Sequence, residues 1–327
     1  MENKTLEEIR DSNTQDLIDG LRGQKFSLLK SMGFKKLRAE MVLTGLVCRT
    51  IVFLTGLTRA VRKAGDAGVK SSAKAFAKTR KLLQIVAPVD CYGTFPHHTC
   101  GMVVGFNHPS LGEILRCIYI CMTQYRFHQN LFPVNLPWYE ALMPIAKELE
   151  AIGIYIMPII TPSTRGKMAK VADAETLAVV DELSHAFNMR YLDKCTEFIK
   201  ANENIWVAPS ATRQHYVFKT PGTLSGDEKI EPQTMTLLAT SLIRAGVKDC
   251  VFLPLCIVPP HGFGRGLNLF KTYRVGIGQE LTMDDARENV RKRCEKNSGR
   301  KFEYEFLMKI AHALIKHNGS KFICPPA

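Results

Sequence analysis

GMVVGFNHPSLGEILR, residues 101–116, joins a short, wholly apolar run to a segment headed by proline. A run this short and unbroken reads as a buried strand, 101–106, and Pro109 suits the first turn of the helix expected over 111–124. The stretch is therefore strand, tight turn, helix. The same alternation continues downstream. IGIYIMPII (152–160), NIWVAP (204–209), CVFLPLCIV (250–258) and KTYRVGIG (271–278) read as strands, and 171–201, 232–245 and 302–317 as helices. Strands alternating with helices predict an α/β fold with a mostly parallel central sheet flanked by helices. No proline precedes Pro88, and apolar residues recur at three-to-four spacing in LEEI, LIDGL and FSLLKSMGF. A small helical N-terminal domain, 1–87, is expected ahead of an α/β domain, 88–327.

Hydrophobic residues at 46% and charged residues at 23% suit a globular chain with a sizeable core. A formal charge of +13 favours negative partners: nucleic acid, anionic lipid head groups, phosphorylated metabolites or an acidic carrier protein. The sequence lacks zinc-finger spacing, an RNP-like aromatic run and a helix-turn-helix signature, so nucleic acid is not expected. The ten cysteines are scattered. Cys117, Cys121, Cys250 and Cys256 sit inside apolar runs, as reduced core thiols do, which implies a reducing compartment. Cys117 and Cys121 are one helical turn apart, but no second pair matches them, and no metal is expected.

The opening MENKTLEEIRD is acidic and resembles neither a signal peptide nor a transit peptide, so a cytoplasmic location is expected. Met41 to Thr58 is apolar except for Arg49. A central arginine costs roughly 2.5 to 3.5 kcal/mol on insertion scales, which favours burial or shallow interfacial contact over spanning. From Arg59 to Lys81 eight basic residues face one acid, Asp66. This segment suits either an anionic lipid surface or a solvated helical face.

The helix start places His108 and Glu113 where their side chains can meet. A carboxylate that fixes a histidine's tautomer makes it a general base for a hydroxyl proton. With nine histidines and 31 acids, one such spacing arises about once by chance; the strand before and the helix after add the weight. In NENIWVAPSATRQHY an apolar strand ends in small residues with Ser210 and Arg213, a fork for a phosphate. The loop after IGIYIMPII, TPSTRGK, carries Arg165 and Lys167 as further anion contacts. His97, His98 and His215 are expected in solvent. Tyr119, Tyr125 and Phe127 are expected as core or tunnel wall.

In this order the segments resemble the glycerophosphate acyltransferase family. His108-Pro-Ser-Leu-Gly-Glu113 looks like its His-X4-Asp block, VAPSATR like its third block and FLPLCIVPP like its fourth. VAPSATR and the layout of EPQTMTLLATSLIRAGVKDCVFLPLCIVPP are similar to the soluble, plastid-type glycerol-3-phosphate acyltransferases, and the likeness covers about residues 90–285 in short blocks. Three positions depart from the pattern. Glu113 stands for the usual Asp, His215 for a second arginine, and no adjacent Lys-His follows Ile156.

The resemblance implies an O-acyltransferase without a cofactor. Acyl-CoA or acyl-carrier protein would donate a fatty acyl group to a phosphorylated small-molecule acceptor, with His108 and Glu113 catalytic and Arg213, Arg165, Lys167 and Ser210 binding the acceptor. The apolar 41–58 and basic 59–81 segments suit peripheral contact with an anionic membrane surface, and the resemblance allows the plastid stroma if a transit peptide has been removed. Glycerol 3-phosphate is favoured as acceptor; a lysophospholipid or another alcohol, or a non-catalytic lipid-binding protein on this scaffold, are the alternatives.

Overall fold

The computed structural model describes residues 4–64, 73–106, 113–125, 128–208, 234–258 and 268–288. The expected helix 302–317 lies outside them. Six helices come first: α1 (Leu6–Asp11), α2 (Thr14–Arg22), α3 (Leu28–Ser31), α4 (Lys35–Leu54), α5 (Leu57–Ala64) and α6 (Ala73–Val86). Next are β1 (Val89–Tyr92), β2 (Met102–Phe106), α7 (Glu113–Gln124), β3 (Asn130–Asn135), α8 (Leu136–Leu142), α9 (Ala146–Ala151) and β4 (Ile154–Ile159). The chain continues through α10 (Pro162–Met168), α11 (Ala174–Lys200), β5 (Asn204–Val207), α12 (Thr234–Arg244), β6 (Val251–Val258), β7 (Tyr273–Ile277) and β8 (Leu281–Thr282). The architecture is mixed α/β, with a mostly parallel central sheet flanked by helices, as the alternation of apolar runs predicts.

The chain groups into two compact units, Met1–Leu82 with Leu131–Lys194, and Leu83–Asn130 with Cys195–Ala327. In the second, β2 is buried along its whole length and runs parallel to β5 on one side (Met102↔Asn204) and to β6 on the other (Met102↔Val251). A strand covered on both faces and paired on both edges has no position for a polar side chain, which accounts for MVVGF. β7 then runs antiparallel to β6 (Leu255↔Ile277), with β1 parallel to β7 beyond it, and β8 antiparallel to the start of β6. Trp206, in β5, is fully buried and donates from Nε1 to Asn130 Oδ1 at 2.9 Å. Gly101 heads β2 so closely against α11 that a Cβ there would lie 2.8 Å from both the Cα and the carbonyl oxygen of Ile199.

The first unit contains the N-terminal helices. Thr5 and Glu8 form a capping box at the start of α1: the Thr5 amide donates to Glu8 Oε2 (2.6 Å) and the Glu8 amide donates to Thr5 Oγ1 (3.1 Å). Arg22 is held by Glu150 and Tyr155, and Ser27 donates to Glu140. α4 packs on α8 where Gly45 lets the backbones meet; a Cβ at Gly45 would sit 2.7 Å from the Ala141 carbonyl oxygen. Among the described residues no helix is long and apolar enough to cross a membrane.

The structure departs from the sequence reading at α8, α9, α10, β1, β3 and β8. Residues 162–168 form a short helix, α10, instead of a loop: Thr161 caps it by accepting from the Thr164 amide, and Pro162 occupies its first turn. β1 and β3 are additional strands. β3, NLFPVN, carries Pro133 in its interior and polar ends, a pattern that argues against a strand until tertiary pairing overrides it.

Candidate active site

The candidate site grows from the carboxyl end of β2, where ligands gather in parallel sheets. Glu113 opens α7 and is wholly buried. It shares the helix's inward face with Arg116, Cys117, Ile120 and Cys121, all buried, at the three-to-four spacing of one stripe. An acid and an arginine therefore head an otherwise apolar face, one turn apart.

Arg116 is fixed from several sides. One of its terminal nitrogens, Nη2, donates to the carbonyls of Asn268 and Lys271, each at 2.8 Å, and its Cζ lies 4.0 Å from the centroid of the Tyr273 ring. The Tyr273 hydroxyl in turn accepts from Asn268 Nδ2 at 3.0 Å. The segment 268–273 is tied down by two further bonds, Phe270 amide to Val86 carbonyl (2.9 Å) and Tyr273 amide to Pro88 carbonyl (3.0 Å). Both Asn268 (φ 44°) and Phe270 (φ 61°) are left-handed, a conformation that bulky L residues resist. That turn is what points two carbonyls at one guanidinium. β6 ends at Val258 beside Arg274, so Tyr273 stands at the same edge as the end of β2.

Electrostatics at this edge are set by burial. Desolvation pulls Arg116 below the ordinary arginine pKa, and Tyr273 and then Glu113 partly offset it. The Cys117 thiol is pushed well up, by burial first and by Glu113 second, which favours its neutral form.

Of the predicted site residues, Glu113 is described here; His108, Ser210 and Arg213 lie outside the described residues, as does His215. Arg165 and Lys167 belong to the first unit, on α10. Arg165 makes a fork with Asp181 on α11, Nε to Oδ1 at 2.5 Å and Nη2 to Oδ2 at 2.8 Å, both side chains nearly half exposed. That hydrogen bonding raises Arg165 and holds Asp181 below the usual carboxylate range. Lys167 is exposed. Sequence reasoning passed over Arg116; the signal was an arginine three residues after an acid on a stripe otherwise made of Cys and Ile.

Away from this helix, before β2 and after β7, His98 Nε2 is 2.9 Å from Glu280 Oε2, both partly exposed. His98 is thus only partly exposed and not simply solvated. Tyr125 is core, as expected, stacked edge-on among Phe95, His97 and Trp206, and its buried hydroxyl is pushed far above its ordinary pKa by desolvation. Among the described residues no cluster of His, Cys, Asp and Glu could hold a metal ion. No protein-family model matches the sequence, and no curated protein matches it.

Proposed function

We propose that this chain is an O-acyltransferase that moves a fatty acyl group from a CoA or acyl-carrier-protein thioester to a hydroxyl of a glycerol-phosphate-type acceptor. The observation that carries the reading is Glu113, an acid wholly buried at the start of the helix that follows the central strand β2 and five positions after His108. Burying a carboxylate there is costly unless neighbours use its charge.

In this mechanism His108 takes the proton of the acceptor hydroxyl while Glu113 holds the imidazole's orientation and stabilises its charged form. The acceptor oxygen bonds to the thioester carbonyl carbon, and the tetrahedral intermediate collapses with loss of the carbon–sulfur bond. The imidazolium returns its proton to the departing thiolate. Backbone amides of the Ala208–Ala211 segment or the start of α7 would stabilise the oxyanion. Arg213, with Ser210, would grip the acceptor phosphate; Arg165, already engaged by Asp181, and Lys167 are the further cations assigned to the acceptor.

A second reading is favoured by Arg116, whose buried charge Glu113 helps to balance: the pair then serves structure alone, on a scaffold that binds lipid without catalysis. Radiolabelled acyl transfer from both donors to glycerol 3-phosphate, a lysophospholipid and a neutral alcohol decides between them. Transfer that His108→Ala abolishes in a protein that melts normally supports the enzyme. Absence of transfer to every acceptor, with folded protein, favours the scaffold.

A further inference from the structure

The outward stripe of α4 has the wrong chemistry for water. Leu46, Arg49, Thr50, Phe53 and Leu54 follow the i, i+3, i+4, i+7, i+8 pattern of one helical face, and all five are exposed. Phe53 is 76%, Leu54 66% and Leu46 55% exposed. The opposite side, with Gly45 against Ala141 and Val52 at 6% exposure, is already used for packing. An apolar stripe of large residues on the solvent side of a surface helix signals an interaction surface.

We infer that this stripe docks the protein on an anionic lipid bilayer, with Phe53 and Leu54 entering the boundary between head groups and acyl chains. Charge selects this occupant. From Met41 to Gly65 the sequence has no acid, while Arg49 lies within the stripe and Arg59, exposed, lies on α5, the next helix. A two-fold pairing of two copies through this face would bring each stripe's own Arg49 into the interface with no carboxylate on the stripe to answer it. Anionic head groups supply that charge. Arginine beside the apolar pair also fits shallow insertion, since its long stem can bury while its head stays at the head-group level. The inference is independent of the acyl-transfer reading, because it concerns bare lipid.

Co-sedimentation of the full chain with vesicles of phosphatidylcholine containing about 30% phosphatidylglycerol tests it. The wild type should bind, less at high salt and less to pure phosphatidylcholine. Phe53→Ser/Leu54→Ser should weaken binding about ten-fold or more, and Arg49→Gln about five-fold on anionic vesicles only. These side chains are exposed, so melting should be unchanged; Leu46→Ser, several-fold weaker, serves as a second variant if the double one is unstable. Wild-type protein that ignores anionic vesicles overturns the proposal, whether it is monomeric or self-associates through this face. So does a double variant, or a folded Leu46→Ser, that binds as the wild type does.

Discussion

Glu113 and Arg116 are two ionisable side chains with no exposed surface, and each is tolerable because of its surroundings. Arg116→Met keeps much of the volume but removes the positive charge beside Glu113 and strips the carbonyls of Asn268 and Lys271 of a donor. Losing that donor costs about 1 to 3 kcal/mol, read as a lower urea midpoint. In a double-mutant cycle with Glu113→Gln, a coupling of about 1 kcal/mol or more is expected, since the two residues share one environment. Activity separates the roles. Glu113→Gln should lower acyl transfer about 10²-fold or more, while Glu113→Asp, which keeps the charge, retains a substantial part. Equal stability loss with unchanged turnover would leave Glu113 a structural acid only. Arg213→Ala should raise the acceptor's KM about ten-fold with little change for the donor, because a charge-assisted fork to phosphate contributes roughly 1.5 to 3 kcal/mol.

At the scale of elements, glycine positions separate contact from propensity. Gly101→Ala forces a methyl into the backbone of Ile199, so β2 and α11 must part; a loss of about 1 to 3 kcal/mol is expected. Gly166, inside α10, has open space around its missing Cβ, and Gly166→Ala should instead gain up to about 1 kcal/mol from helix propensity. Thermal melts of the two variants should therefore move in opposite directions. The same elements show what the sequence discloses. β2, β4, β5, β6 and β7 and the long helix α11 are legible because their apolar runs have strand or helix period and are buried accordingly. β1 and β3 are not: VDCY is short and largely exposed, and NLFPVN looks like a turn around Pro133, so long-range pairing decides both. α10 was legible in principle from Thr161-Pro162, a cap followed by a helix-starting proline. At the site, position +5 from His108 singles out Glu113, yet the turn that fixes Arg116, one helical turn on, lies at 268–273, about 150 residues away, and no local pattern encodes that.

At the scale of the whole molecule, buried thiols make the fold sensitive to alkali. Desolvation pushes Cys117, Cys121, Cys250 and Cys256 far above their ordinary value of 9.0. The unfolded chain therefore releases protons that the folded one retains. Stability from these groups is full below pH 9 and falls above it, by about 1.4 kcal/mol per thiol per pH unit. Under reducing conditions Tm should be level to about pH 9 and then drop, and Cys256→Ala should flatten the drop. The interleaving of the two units, each made of two separated stretches of chain, has a further consequence for synthesis. On the ribosome β2 emerges early, but its partners β5 and β6 follow roughly 100 and 150 residues later, a wait on the order of ten seconds at ordinary elongation rates. Throughout that interval a nascent MVVGF strand has both edges open and both faces bare. Chaperone capture of the growing chain, or loss of soluble yield without it, is thus built into the order in which this sheet is assembled.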